Sequence, residues 1–515
     1  MDPLADIPST EEKLGCYSGL YSTRARVLVP ANVDGLRRIF AHAREAGHRV
    51  TLRAGAHSFD AQSLGDDLVV SMTKFDSIEV LAEERKVRVG PGARWGAILS
   101  RLQPLGLVPA VTVTTEDATA GGTLSGDCLS RFSPAYGKEG TWIESLDLLT
   151  TEGELIVCTA PPEDAPPAEW SREQRAYSGA IGGLGYLGAV VAITYRLLPV
   201  GQTDGRIGIR TTVRKFESFD ALASDLVPAT RETVAEESDP QDPGKLDSIW
   251  SALDTRGKGR QSALLFTSVF TTTGDRRRMP LHRPRLLLRV VVEWLMRVGF
   301  LSKLLWRFYF RFLFRDREVF IDELEGFTFF MDGNARAKRI AKRFGFAMRN
   351  AQQTFVVPSD PGAAGGWDQA KDDLLEWLEY AHEFLRERGL TPTLNDVLFL
   401  PRDLAFPLSA SADLPGFAVS YAFETSRKAK LERIKQAFAE LADVLDERFG
   451  GRVYLVKNVF ASRQTLAAMY GDSAVEFFRL KHELDPGCVL RDEFLERTFG
   501  DLLEREYAPP APQPG

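Results

Sequence analysis

Three stretches of small residues fall in order at the ends of strand-like runs: "RAGAHS" from Arg53, "DATAGGTLSGD" from Asp117 and "IGGLGYLG" from Ile181. A chain that repeats such loops commits its backbone to close approach, because small side chains let main-chain N–H groups point at a ligand. The last contains GxGxxG, Gly183 to Gly188. That motif grips a dinucleotide only when a helix follows it. Here "AVVAITYRLLPV" follows, β-branched and strand-like, so a nicotinamide Rossmann site is not expected. The three loops are instead expected to cradle one large cofactor jointly.

The flanking pattern is mixed. "DGLRRIFAHAREAG" places Leu36, Ile39, Phe40 and Ala43 at helical spacing before Gly47. "RWGAILSRLQPLG" reads as a short helix, and "LVVSM", "KVRVG", "SLDLLTTEGELIVCT" and "GAVVAITYRLLPV" read as strands, with Thr150–Gly153 as a hairpin turn. Beyond Gly201 the texture changes to long helices. Strand candidates there are "QQTFVVP", "NDVLFLP" and "GFAVSYAFE", and the end, "AVEFFRLKHELDPGCVLRDEFLERTF", is expected to be helical and then irregular. With 515 residues, two domains are the natural division.

A net charge of −7 and a pI near 5.7 give no general attraction for nucleic acid. Cys16, Cys128, Cys158 and Cys488 are widely spaced, so neither a disulfide framework nor a metal site is expected. A reducing cytoplasm fits such cysteines, the acidic start lacks a signal-peptide pattern, and the proline-rich end reads as frayed. From Arg283 to Arg317, nine Lys or Arg alternate with Leu, Val, Trp and Phe. No apolar run there reaches spanning length, and the composition suits either a membrane interface or a cap helix pair with outward arginines.

The order "VLVPANVDGLRRIFAHAREAGHRVTLRAGAHSFD", "VRVGPGARWGAIL", "DATAGGTLSGD", "ESLDLLTTEGELI" and "GAIGGLGYLGAVVAITYRLLP" resembles the PCMH-type FAD-binding domain of the vanillyl-alcohol oxidase and p-cresol methylhydroxylase superfamily. The resemblance covers about residues 24–200 and resumes with "GGRVYLVKN" and "LDPGCVLRDEFLERTF". It implies an α+β fold with an FAD domain at 1–200, a substrate or cap domain at 201–456, and a return to the FAD domain at 457–515. It also implies FAD as cofactor, held by Arg53, Ala54, Gly55, Ala56, His57 and Ser58, by Thr115, Asp117, Gly121, Gly122, Ser125 and Gly126, and by Gly185, Gly188 and Val190.

The "GAHS" loop is similar to the "GGHS" loop of aldonolactone and sugar-alcohol oxidases, whose histidine is joined to the flavin 8α-methyl. The same covalent bond is expected through His57, and no cysteinyl bond, because Thr123 follows the "GG". Among sugar-oxidising members the look is nearest to the decaprenylphosphoryl-ribose oxidases. That likeness makes Lys457 an active-site lysine near the flavin pyrimidine edge, Gln352 a substrate-side glutamine, and Tyr421 a pocket residue. Where those enzymes carry a histidine, a second lysine and a cysteine, this chain has Leu129, Phe399 and Ser420, which predicts a greasier pocket.

The implied reaction is oxidation of a secondary alcohol or lactol on a sugar-like or lipid-linked substrate, with an undefined electron acceptor. The superfamily also contains a sterol side-chain reductase, so reduction of a lipid double bond is an alternative. A flavin-binding peripheral membrane protein without turnover is another.

Overall fold

The computed structural model describes residues 4–162, 164–234, 245–254, 261–272, 277–279, 286–295, 299–345, 348–362, 365–403, 406–412 and 414–507. The α+β class expected from the sequence holds.

The N-terminal part is built on two sheets. In the first, Val50–Arg53 and Ser22–Leu28 each pair in parallel with Leu68–Ser71, and Ser9–Gly15 adds an antiparallel edge. The helix Val33–Ala46 packs on it through Leu36, Ile39, Phe40 and Ala43, the four positions its periodicity marks. Asn32 caps its start by accepting the Gly35 N–H at 2.9 Å, and Gly47 closes it in the left-handed region at φ 72°. The second sheet is antiparallel, with Ala189–Pro199 between Lys86–Val89 and Ile143–Leu149. "GLGYLG" therefore leads into a central strand, which confirms that it is no Rossmann turn.

The region after residue 201 holds an eight-stranded antiparallel sheet. Its strands Gly208–Phe216, Ser248–Asp254, Ser262–Thr271 and Glu318–Glu323 were not among the sequence-based expectations; the three that were, Arg349–Pro358, Leu394–Leu400 and Gly416–Thr425, are central members. The helices Phe219–Val234, Gly366–Glu387 and Lys428–Phe449 cover one face. The opposite face, carrying Trp250, Val356, Leu398 and Ala418, meets Tyr454, Val456 and Leu129.

The end of the chain is helical at first, as expected, but a second helix replaces the irregular stretch expected after it. Arg463–Leu484 and Glu493–Glu506 are helices, and Arg452–Val453 adds an edge strand beside Arg349–Pro358. This return buttresses the third loop: the buried Lys481 ammonium donates to the Tyr186 carbonyl at 3.0 Å and pairs with Asp485 at 2.7 Å. Tyr186 in turn donates to Asp492 at 2.7 Å.

A second buried cation joins the two regions. Lys138 lies between Asp127 at 2.7 Å and Asp403 at 2.6 Å, and donates to Ser409 at 2.6 Å. Removing it leaves two buried carboxylates facing each other. Lys138→Met should therefore lower stability by about 3–5 kcal/mol, seen as a fall in the urea or thermal midpoint; an unchanged midpoint would show that the cluster does not hold the regions together.

Candidate active site

The strand Val50–Arg53 delivers the chain into the His57 loop. Arg53 braces that loop from beneath, donating to the Ser63 carbonyl and hydroxyl at 3.0 Å and to the Gly15 carbonyl at 3.0 Å. Ala56 takes φ 59°, a left-handed value few non-glycine residues adopt. Among the described residues, the N–H groups of Ala56, His57 and Ser58 meet no protein acceptor, whereas Gly55 donates to the Thr119 hydroxyl at 3.1 Å. Successive open amides on such a bend form an anion-binding concavity.

His57 has a defined tautomer. Its Nδ1 lies 2.6 Å from the Gly55 carbonyl, which only accepts, so Nδ1 carries the proton and Nε2 keeps its lone pair. Burial lowers its pKa from the ordinary histidine value. The imidazole stacks on Tyr17 at 5.6 Å, Tyr17 packs on Phe59 at 5.1 Å, and the Lys457 ammonium lies 4.3 Å from the centre of the Phe59 ring. His57 and Lys457, 400 positions apart in the chain, thus flank one aromatic group.

The second loop is built by close packing. A Cβ on Gly121 would meet Pro91 Cβ at 2.4 Å, and one on Gly126 would press on Val456 at 3.0 Å, while Gly122 is exposed. Ser125 donates to the Gly121 carbonyl at 2.7 Å and accepts the Leu184 N–H through its own carbonyl at 2.8 Å, which ties the second loop to the third. In the third, Gly185 sits at φ 82° with nothing within 4 Å of an added Cβ, and Gly188 passes close to the Leu149 carbonyl. Val190 is buried beside a register shift in its strand.

Thr115 and Asp117 contact the cap region. Thr115 donates to Asp332 at 2.6 Å, Asp332 also accepts the Glu116 N–H, and Asp117 pairs with Arg339 of the cap at 3.7 Å as well as with its neighbour Arg94 at 3.0 Å.

Lys457 is positioned by its neighbour. Asn458, fully buried, donates from its backbone to the Gln352 carbonyl at 2.8 Å and accepts the Gln352 N–H at 2.9 Å; its amide also donates to the Phe59 carbonyl at 2.8 Å. One side chain therefore fixes the cap strand, the lysine segment and the histidine loop together. Asp60 does the same from below, pairing with Arg497 at 2.5 Å and accepting the Val459 N–H at 3.0 Å.

The cap sheet sets two polar groups the sequence reading missed, Asp396 and Thr354, beside the Ser420 it had named. Asp396, Ser420 and Thr354 are neighbours across three strands, with the Ser420 and Thr354 hydroxyls 2.8 Å apart. Burial raises the Asp396 pKa, partly opposed by Lys457, and its Oδ1 is buried without a hydrogen-bond partner. Burial likewise lowers the Lys457 pKa below the ordinary lysine value, against the pull of Cys128 and Asp396. Gln352 shares the Thr354 face by strand alternation.

Two expectations need correction. Tyr421 does not line this pocket: it packs against Phe355 and beside the Trp377 indole on the helix-covered face. Phe399 points the same way, between Trp367 and Phe417, so it cannot make the pocket greasier. Both lie one residue out of phase with the cleft-facing positions, and a one-residue step reverses the face. The floor is more polar than predicted, although Leu129 does lie on the cleft side.

Cys128 is drawn to Lys457 rather than left remote, but burial pushes its thiol well above the ordinary value, and the thiolate is the nucleophile. Thr123 is occupied with Glu139 and the Trp95 indole.

Residues 25–159 match the family model described as an FAD binding domain. The chain carries an FAD-binding domain. The open amides at Ala56–Ser58 and the unfilled space at Gly185 fit the pyrophosphate and backbone approach such a cofactor requires.

The chain is 22% identical to decaprenylphosphoryl-beta-D-ribose oxidase of Mycolicibacterium smegmatis, over 96% of this chain and 98% of that one. It is 26% identical to L-gulonolactone oxidase of Bos taurus over 36% of this chain, and 28% identical to cytokinin dehydrogenase 2 of Oryza sativa subsp. japonica over 33%. These two matches span 38% and 30% of the relatives' own lengths. The domain and these relatives place the chain among FAD-dependent oxidoreductases.

Beneath the second loop, Glu139 is buried and accepts from Tyr195 at 2.7 Å and Thr123 at 2.8 Å. Burial pushes its pKa up to about 8. A folded value raised above the ordinary 4.5 means its contribution is whole below pH 4.5 and declines as pH rises toward 8. Glu139→Gln should flatten the stability profile across that window; equal slopes in urea titrations from pH 5 to 8 would refute the assignment.

Proposed function

We propose that this chain oxidises a secondary alcohol or lactol carbon of a sugar-like or lipid-linked substrate, using FAD. The observation that carries the reading is the grouping of Lys457, Asp396 and Gln352 on the cap side of the histidine loop, held there by Asn458. Bound FAD supplies the hydride acceptor, its N5. The chain supplies charge and proton handling.

Lys457 offers a cation for the negative charge that such a transfer places at the flavin pyrimidine edge. Asp396 is suited to take the substrate hydroxyl proton, because burial makes its carboxylate more basic and leaves Oδ1 free. Gln352 orients the hydroxyl. The lipid-alkene reductase reading lacks an observation of this kind, since an exposed basic apolar segment serves either substrate.

Anaerobic mixing with candidate alcohols, among them L-gulonolactone, should bleach the oxidised flavin absorbance. Lys457→Met should slow the bleaching about 10²-fold or more, and the wild-type rate should fall with rising pH below the ordinary lysine value of 10.5 as Lys457 loses its proton. Bleaching only by NADPH together with lipid alkene turnover would replace this reading with the reductase one.

Covalent attachment through His57 is part of the same proposal. A neutral imidazole with its lone pair on Nε2 is the form that would bond the 8α-carbon once that methyl had given up a proton; the electron pair would pass into the flavin, leaving it reduced until the electron acceptor took the pair away. Acid precipitation should give a yellow pellet, with flavin mass on the His57 peptide; His57→Ala should give a colourless pellet and free FAD. A colourless wild-type pellet would refute the bond.

A further inference from the structure

Of the segment 283–317, residues 283–285 and 296–298 lie outside the described residues. Leu286–Leu295 and Gly299–Phe308 are helices, and Tyr309–Leu313 continues the second as a wider turn. No described helix is long and apolar enough to cross a membrane.

The second helix turns a row of large apolar side chains outward. Leu304, Phe308 and Phe312, each four residues from the next, are 59%, 55% and 65% exposed, and the Phe308 and Phe312 rings lie 5.9 Å apart. Val291 and Trp294 on the first helix are exposed as well. This is more clustered apolar surface than solvated proteins commonly leave open.

Beside that row runs one of charge. Arg307 and Arg311 on the helix and Arg315 just past its end are exposed, and among the described residues no carboxylate pairs with their guanidinium groups. A core-facing helix pair with snorkelling arginines would bury the leucine and phenylalanine face; here both rows are open. Apolar anchors flanked by unpaired cations complement one surface, the anionic headgroup layer of a bilayer.

The position matters too. Leu286–Leu295 packs on the helix Asp332–Arg343. Asp332, in the first turn of that helix, holds Thr115 and the Glu116 N–H beside the histidine loop. The first helix, with its exposed Val291 and Trp294, is thus linked through one helix to the rim of the cofactor site.

We propose that this face docks on anionic membranes, seating the cap rim where a lipid-linked substrate would arrive. The docking does not depend on the alcohol reading, and FAD content and bleaching are read separately. Holoprotein should float with phosphatidylglycerol-containing vesicles, far less with pure phosphatidylcholine, and release as salt rises. Arg307→Glu with Arg311→Glu, and separately Phe308→Ser with Phe312→Ser, should each cut the bound fraction about tenfold or more while flavin absorbance stays at the wild-type level. Wild-type protein left at the bottom in low salt overturns the proposal. So does equal flotation of both variants, or a concentration-dependent dimer that the Phe308/Phe312 variant abolishes without any vesicle binding.

Discussion

The fold's chemistry hangs on how three stretches of chain are locked at one point. Asn458 hydrogen-bonds the cap strand through Gln352 and the histidine loop through Phe59, while Asp60 grips Arg497 and the Val459 N–H. Buried, satisfied side-chain amides and carboxylates of this kind are costly to break, because each orphaned group loses about 1–3 kcal/mol. That lock explains why a lysine near the end of the chain can face a histidine near its start.

With the lock in place, the loop between Arg53 and Asp60 keeps its open amides. Ala56 stays in a left-handed conformation, and the His57 ring is fixed in one tautomer by the Gly55 carbonyl. On the other side, burial moves Lys457 and Asp396 toward neutrality from opposite directions. A site that loosens the lysine's hold on its proton and makes the carboxylate a better proton acceptor is poised for proton and charge transfer, the common signature of catalytic clefts. The same cap then turns its outer helices, with their apolar and arginine rows, toward solvent.

Much of this was legible locally. Small-residue loops need no distant partner to declare themselves, since steric freedom is a property of the residue. The helix ending at Gly47 and the Thr150–Gly153 hairpin are likewise encoded by spacing and turn chemistry. The strand after "GLGYLG" followed from its β-branched run, and with it the exclusion of a Rossmann turn.

Tertiary structure decided which side of a strand matters. Gly416–Thr425 is buried along nearly its whole length, on both faces. A strand covered on both sides shows no polar alternation, so Ser420 and Tyr421 could not be told apart by pattern, and only the placement of the helix layer sends Tyr421 away from Lys457. Asp396 escaped notice for a related reason: one acid in an apolar strand has no local signature, and its meaning comes from Lys457, 61 residues later in the chain. The sequence alone determined where the backbone can approach a cofactor, because that is a matter of residue size. Which side chains meet there is set by long-range pairing, which no short window contains.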